Sequence, residues 1–141
     1  MADFKSERKY RMQLSKFNNN ISGPNIEKFE TECGDPNTAE KTILLIDDEP
    51  MMTDICEMMI KRLGHRVLKA HSGSEGIEVF MAHKTCIDLI ISDFNMPGMN
   101  GREVVNTLRE MGHGVKVLLS SGGLSAAQEA DVYVNGFDGF L

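Results

Sequence analysis

Five positions in this sequence could do chemistry together: Asp47, Asp48, Asp93, Ser120 and Ser121. Each stands where an apolar run stops. Ile43-Leu44-Leu45-Ile46 runs into Asp47-Asp48-Glu49-Pro50, Ile87 to Ser92 runs into Asp93, and Val115 to Leu119 runs into Ser120-Ser121-Gly122-Gly123. Short apolar runs bounded by turn residues read as strands buried on both faces of a parallel sheet. In an open α/β sheet, ligands and chemistry sit at the carboxyl ends of the strands. A single aspartate there is more often a turn former or a helix cap, so the weight rests on convergence. Three carboxylates in one crevice repel and raise one another's pKa. A hard cation such as Mg²⁺, which takes one or two carboxylates beside water and phosphate, relieves that repulsion. It also leaves a carboxylate able to attack phosphorus. Phosphoryl transfer asks mainly for in-line positioning and neutralised charge, and this set of residues could supply both.

The elements that must position these residues alternate along the chain. After the strand Ile43–Ile46, a first helix is expected from Pro50 to Leu63, with proline tolerated in its first turn and Gly64 ending it. A second strand follows from His65 to Ala70. Ser72 then caps a helix from Ser74 to His83, with Glu75 three residues on as in a capping box. The central strand is Ile87–Ser92, and Pro97, Gly98 and Gly101 punctuate its loop. Gly101–Met111 makes the third helix with Val104, Val105 and Leu108 inward. Val115–Leu119 is the fourth strand, Ser125 to Asn135 the fourth helix, and Asp138–Leu141 opens a fifth strand. Strand and helix in strict alternation imply an α/β fold with a doubly wound, parallel five-stranded sheet. In the flavodoxin-like order 2-1-3-4-5, strands one and three are neighbours at the switch point, which sets Asp47 and Asp48 beside Asp93.

Composition narrows the function classes. The chain has 141 residues, 41% hydrophobic and 26% charged, with net charge -6, enough for one domain with a real core. The acidic balance argues against direct nucleic-acid binding, and no apolar run approaches the ~18 residues of a membrane span. Cys33, Cys56 and Cys86 show neither disulfide-framework nor zinc spacing, so reduced thiols in a cytoplasmic compartment are expected. Residues 1–40 form a polar leader, basic at first (Lys5, Arg8, Lys9, Arg11, Lys16) and acidic later. Tyr10, Leu14 and Phe17 fall at i, i+4, i+7. A disordered leader with transient helix is the first reading, and a basic interaction arm the other. Met51, Met52, Met58 and Met59 are expected to pack as core and flank of the first helix rather than to line a groove. His71, His83 and His113 are expected at the surface or in loops.

Competing motifs fail on spacing. Asp93-Phe94-Asn95-Met96-Pro97-Gly98 does not open a calcium loop, because position five is Pro97 and position twelve, counted from Asp93, is Val104, which supplies no bidentate acid. Gly98 and Gly101 do not follow the first strand, as a dinucleotide fingerprint requires. A haloacid-dehalogenase-like phosphatase needs a second aspartate two residues after the nucleophile, and Glu49 and Asn95 hold those places.

The ordered set I-L-L-I-D-D-E-P, D-F-N-M-P-G-M-N-G, V-L-L-S-S-G and G-F-D-G-F-L resembles the receiver domain of two-component response regulators (CheY-like) over residues 41–141. That resemblance implies that Asp93 accepts a phosphoryl group from a sensor histidine kinase or a histidine phosphotransfer protein. It implies a Mg²⁺ ion held by Asp47, Asp48, Asp93 and the backbone carbonyl of Asn95, with Asp47 bound directly or through water. Ser121 would contact the phosphoryl oxygen, preferred to Ser120 because a small residue, Gly122, follows it. Phe140 would be the aromatic that moves in response. The chain would be a phosphoacceptor rather than an enzyme, with an expected homodimer face on the fourth helix and fifth strand. One departure stands: Leu141 precedes the family's Lys-Pro and final helix. The receiver is therefore expected to be C-terminally incomplete, or else a degenerate receiver that acts as a phosphorylation-independent interaction module.

Overall fold

The computed structural model describes residues 37–120, 132 and 136–141. Strand and helix alternate as β1 (Thr42–Ile46), α1 (Pro50–Arg62), β2 (Arg66–Ala70), α2 (Gly73–His83), β3 (Leu89–Asp93), α3 (Gly101–Glu110), β4 (Lys116–Ser120) and β5 (Gly139–Phe140). The five strands are parallel in the order β2-β1-β3-β4-β5, the expected doubly wound sheet. The expected leader, residues 1–40, falls outside the described residues up to position 36. So does the helix expected at Ser125–Asn135, apart from the buried Val132.

Right-handed crossovers decide which face each helix takes. The chain moves one way from β1 to β2 and the other way from β2 to β3, so α1 and α2 lie on opposite faces. α3 continues in the direction of α2, shares its face and packs against it. Side-chain alternation along the strands follows. Leu44, Ile46, Ile90, Val117 and Leu119 form one cluster with Ile77, Phe80, Val104, Val105 and Leu108 of the two helices. Contact is close enough that a Cβ on Gly76 would lie 2.4 Å from Ile46 Cδ1.

The opposite face is covered less completely. Leu89 and Ile91 on β3 and Leu118 on β4 are only half-buried, where burial on both faces was expected. Among the described residues α1 is the only helix there, and it lies against β1 and β2. Asp54 and Glu57 hold it towards β2 through Lys69, at 2.9 and 2.7 Å. Thr53 is the only residue that α1 buries. Met51, Met52, Met58 and Met59 are exposed, which corrects the expectation of core and flank packing.

Local chemistry shifts some boundaries. Ser72 caps α2 by accepting from Glu75 N at 3.1 Å, but the Glu75 carboxylate accepts from His71 N, so the reciprocal bond of a capping box is made one residue early. β3 starts at Leu89 because Ile87 N still bonds the end of α2, at His83 O, while the Asp88 carboxylate accepts from Thr42 N. His83 is buried and His113 packs edge-on against Phe80 at 5.1 Å, whereas His71 is exposed as expected. Cys56 is a free thiol and Cys86 is disulfide-bonded, which departs from the expectation of three reduced thiols. No described helix is long and apolar enough to cross a membrane.

Candidate functional site

The site forms where β1, β3 and β4 end together. Ile46 is paired with Ser92, so the next residues, Asp47 and Asp93, leave adjacent strands side by side. Asp47 stays tied to the sheet by donating its N–H to Ala70 O, and its Oδ1 accepts from Glu49 N at 2.9 Å. That turn starts α1 with Glu49 at the N-cap, without a side-chain cap, and Pro50 at the first helical position. Asp48 is therefore not the cap that its neighbourhood could suggest, and its carboxylate stays with the site. One carboxylate oxygen from each of Asp47, Asp48 and Asp93 lies within 4.8 Å of the others.

The loop after β3 is fixed by devices of its own. Met96 is buried and anchors it, Gly98 turns it with φ +80°, and Gly101 N donates to Phe94 O at 3.0 Å. Gly101 meets the strand end so closely that a Cβ there would stand 2.3 Å from Asp93 O. Asn100 and Glu103 then cap α3 reciprocally: Asn100 Oδ1 accepts from Glu103 N at 3.0 Å, and Glu103 Oε2 accepts from Asn100 N at 2.8 Å. The sequence reading did not single out Asn100, although N-x-x-E ahead of an apolar run is a recognisable capping signal.

Electrostatics follow from this packing. Burial raises the Asp93 carboxyl above its ordinary range, and Asp47 and then Asp48 add to the rise. The N–H groups of Phe94, at 2.7 Å from Oδ1, and of Asn95 pull the other way. Among the described residues none of the three carboxylates is in a salt bridge. A trio of hard oxygen donors without a cationic partner among the described residues, Asp47 and Asp93 half-buried and Asp48 exposed, is chemically suited to a divalent cation of the Mg²⁺ type. With Oδ1 held by backbone N–H, Asp93 keeps a second oxygen for reaction.

The other expected site residues are placed unequally. Ser120 is the register partner of Asp93 and lines the same depression with Leu45, Met52, Cys56 and Ile91. Ser121 lies outside the described residues. Asn95 is exposed in the loop. Phe140 sits on β5, paired with Leu119, and is 40% exposed. The sequence reading placed His71 at the surface, and its ring Nδ1 lies 3.4 Å from Asp47 O.

Comparison with known proteins gives this geometry a family. The model of the response regulator receiver domain matches residues 43–141. The nitrate/nitrite response regulator protein NarL of Escherichia coli is 35% identical over 107 residues, covering 74% of this chain and 49% of NarL. The autoinducer 1 sensor kinase/phosphatase LuxN of Vibrio campbellii is 31% identical over 105 residues, covering 74% of this chain and 12% of LuxN. The chain thus spans half or less of the length of these relatives. The response regulator protein TrrA of Thermotoga maritima, solved in complex with Mg²⁺-BeF, superposes with a TM-score of 0.63 at 27% identity, covering 72% of this chain and 84% of that one. The chain belongs to the response regulator receiver domains, the phosphoacceptor family of two-component signalling.

Proposed function

We propose that Asp93 accepts a phosphoryl group from the phosphohistidine of a sensor histidine kinase or histidine phosphotransfer protein. The carrying observation is the convergence of Asp47, Asp48 and Asp93 within 4.8 Å at the carboxyl edge of the sheet. The free carboxylate oxygen of Asp93 forms the new O–P bond as the N–P bond breaks, and the departing imidazole keeps the N–P electron pair. The N–H of Phe94 holds the other Asp93 oxygen, Oδ1. Asp47, Asp48, Asp93 and the carbonyl of Asn95 would hold Mg²⁺, which when bound neutralises charge on the phosphoryl oxygens. The Mg²⁺-BeF complex of the similar TrrA supports that choice of ion. Ser121 contacts the phosphoryl group and Phe140 answers it, which shifts the population of partner-binding states. In this reading residues 41–141 are the receiver and the chain is an acceptor rather than a turnover enzyme. It works in the cytoplasm, with its fourth-helix and fifth-strand face available for homodimerisation.

Intact mass after incubation with acetyl phosphate and Mg²⁺ tests the proposal. Wild type is expected to gain one phosphoryl group and Asp93→Asn none. No gain by wild type, with native circular dichroism, would instead favour a receiver fold that serves as a phosphorylation-independent interaction module.

A further inference from the structure

The end of β2 reaches the acidic site through His71, and we propose that this histidine is a positioning residue for the metal-binding aspartates. The inference rests on the reading of Asp47 and Asp48 as Mg²⁺ ligands and adds a further residue of this chain to it. β1 and β2 pair with Ile46 opposite Ala70, so the next residues, Asp47 and His71, leave the sheet side by side. Asp47 N donates to Ala70 O at 3.1 Å, which continues the ladder by one bond. At the other end of the same residue, His71 Nδ1 lies 3.4 Å from Asp47 O. A carbonyl oxygen only accepts, so the ring nitrogen donates and the neutral imidazole carries its proton on Nδ1. His71 is exposed, yet its backbone is fixed. Its N–H donates to Glu75 Oε2 at 2.6 Å, and Glu75 N donates to Ser72 Oγ at 3.1 Å in the first turn of α2. A chain of bonds therefore runs from α2 through His71 to the backbone of the acidic turn.

What His71 holds is the peptide between the two aspartates. The Asp47 carbonyl and the Asp48 N–H share one rigid plane. Fixing that oxygen fixes the direction in which Asp48 leaves the strand, and with it the direction of its carboxylate. Asp47 is held at its N–H by Ala70 O, at its carbonyl by the His71 ring and at Oδ1 by Glu49 N, the last at 2.9 Å. Asp48 is exposed, so the course of its backbone is what brings its carboxylate within 4.8 Å of Asp47 and Asp93. Mg²⁺ demands near-ideal octahedral geometry, which makes a small rotation of that peptide costly to binding. Groups that orient ligands without touching the ion raise its affinity by setting the site in advance.

The test is a Mn²⁺ titration of the full chain, read by electron paramagnetic resonance of the free ion, on wild type, His71→Ala and His71→Asn. Mn²⁺ is the probe because it takes the same hard oxygen donors. The side-chain nitrogen of asparagine stands as many bonds from Cα as Nδ1 of histidine, so it can remake the bond to Asp47 O. His71→Ala should bind Mn²⁺ about three- to tenfold more weakly, below the range for partners bonded directly to a ligand side chain, and His71→Asn should recover most of the loss. With acetyl phosphate, the Mg²⁺ concentration for half-maximal capture should rise by the same factor in His71→Ala, while the rate at saturating Mg²⁺ changes by less than about twofold. In metal-free wild type, long-range proton–nitrogen NMR should show the neutral His71 ring protonated on Nδ1. Equal Mn²⁺ affinity in wild type and His71→Ala would overturn the proposal, even if the variant melts lower. So would a loss that His71→Asn does not restore, or a neutral ring protonated on Nε2. Mn²⁺ binding by wild type without phosphoryl capture would overturn the acceptor reading and leave the role of His71 to the Mn²⁺ comparison, whereas no Mn²⁺ binding by wild type would end both.

Discussion

The two faces of the sheet are built to different standards. On the face of α2 and α3, Phe80, Val104, Val105 and Leu108 are essentially fully buried against Leu44, Ile90, Val117 and Leu119. On the face of α1, the helix buries Thr53 alone and leaves its methionines in water. The charged groups divide in the same way. Arg109 of α3 donates to His113 O, Val115 O and Gly136 O and pairs with Asp138, so it fastens the end of its helix to the starts of β4 and β5. Asp47, Asp48 and Asp93, at the other end of the strands, have no cationic partner among the described residues. One face is closely packed, the other leaves apolar side chains of α1 exposed, and the carboxyl edge of the sheet holds the unneutralised charge.

The largest test of that contrast is a pair of truncations. Phe80→Ala removes a ring from the packed face and should cost about 3–5 kcal/mol in urea unfolding. Met59→Ala should stay within about 0.5 kcal/mol, the range of an exposed site. Equal losses at the two positions would end the comparison. Gly101→Ala comes next in size. Its methyl would meet Asp93 O, and the backbone shift should cost about 1–3 kcal/mol while weakening phosphoryl capture, because the displaced atom belongs to the acceptor strand end.

The smallest effects are in pH dependence, and they differ in sign. Burial alone would raise Asp138, but the Val117 N–H at 2.8 Å, with Lys116 and Arg109, takes it below the usual carboxylate range. A depressed folded-state pKa contributes stability above the unfolded value, and that contribution is lost as pH falls through the folded one. Asp138→Asn should therefore be less stable than wild type at neutral pH, and the gap should close under acid, below about pH 4. Asp93 is raised, so its ionised form disfavours the folded state until acid protonates it. Without divalent ions, Asp93→Asn should melt higher than wild type at neutral pH, and the advantage should shrink on acidification. Thermal melts across pH check both directions.

The sequence alone determined the alternation of elements and the three aspartates, because buried strands are short apolar runs and the carboxyl end of a parallel strand is marked by where its run stops; the strand order was assumed as the common one for such alternation, and the pairing of the strands shows it. It also marked Val104, Val105 and Leu108 as an inward stripe, since helical period is a local property. Tertiary structure decided what depends on a neighbour. Ile91 and Leu118 read as fully buried but are half-covered, because composition does not say whether a helix lies over a strand. The four methionines of α1 read as packing residues but stand in water, because Asp54 and Glu57 turn their helix towards Lys69 on another strand. Ser120 comes beside Asp93, and Gly101 against its carbonyl, through register and loop closure. Pairing across strands and contact between distant residues are long-range facts, and a linear pattern carries them only where burial forces the pattern.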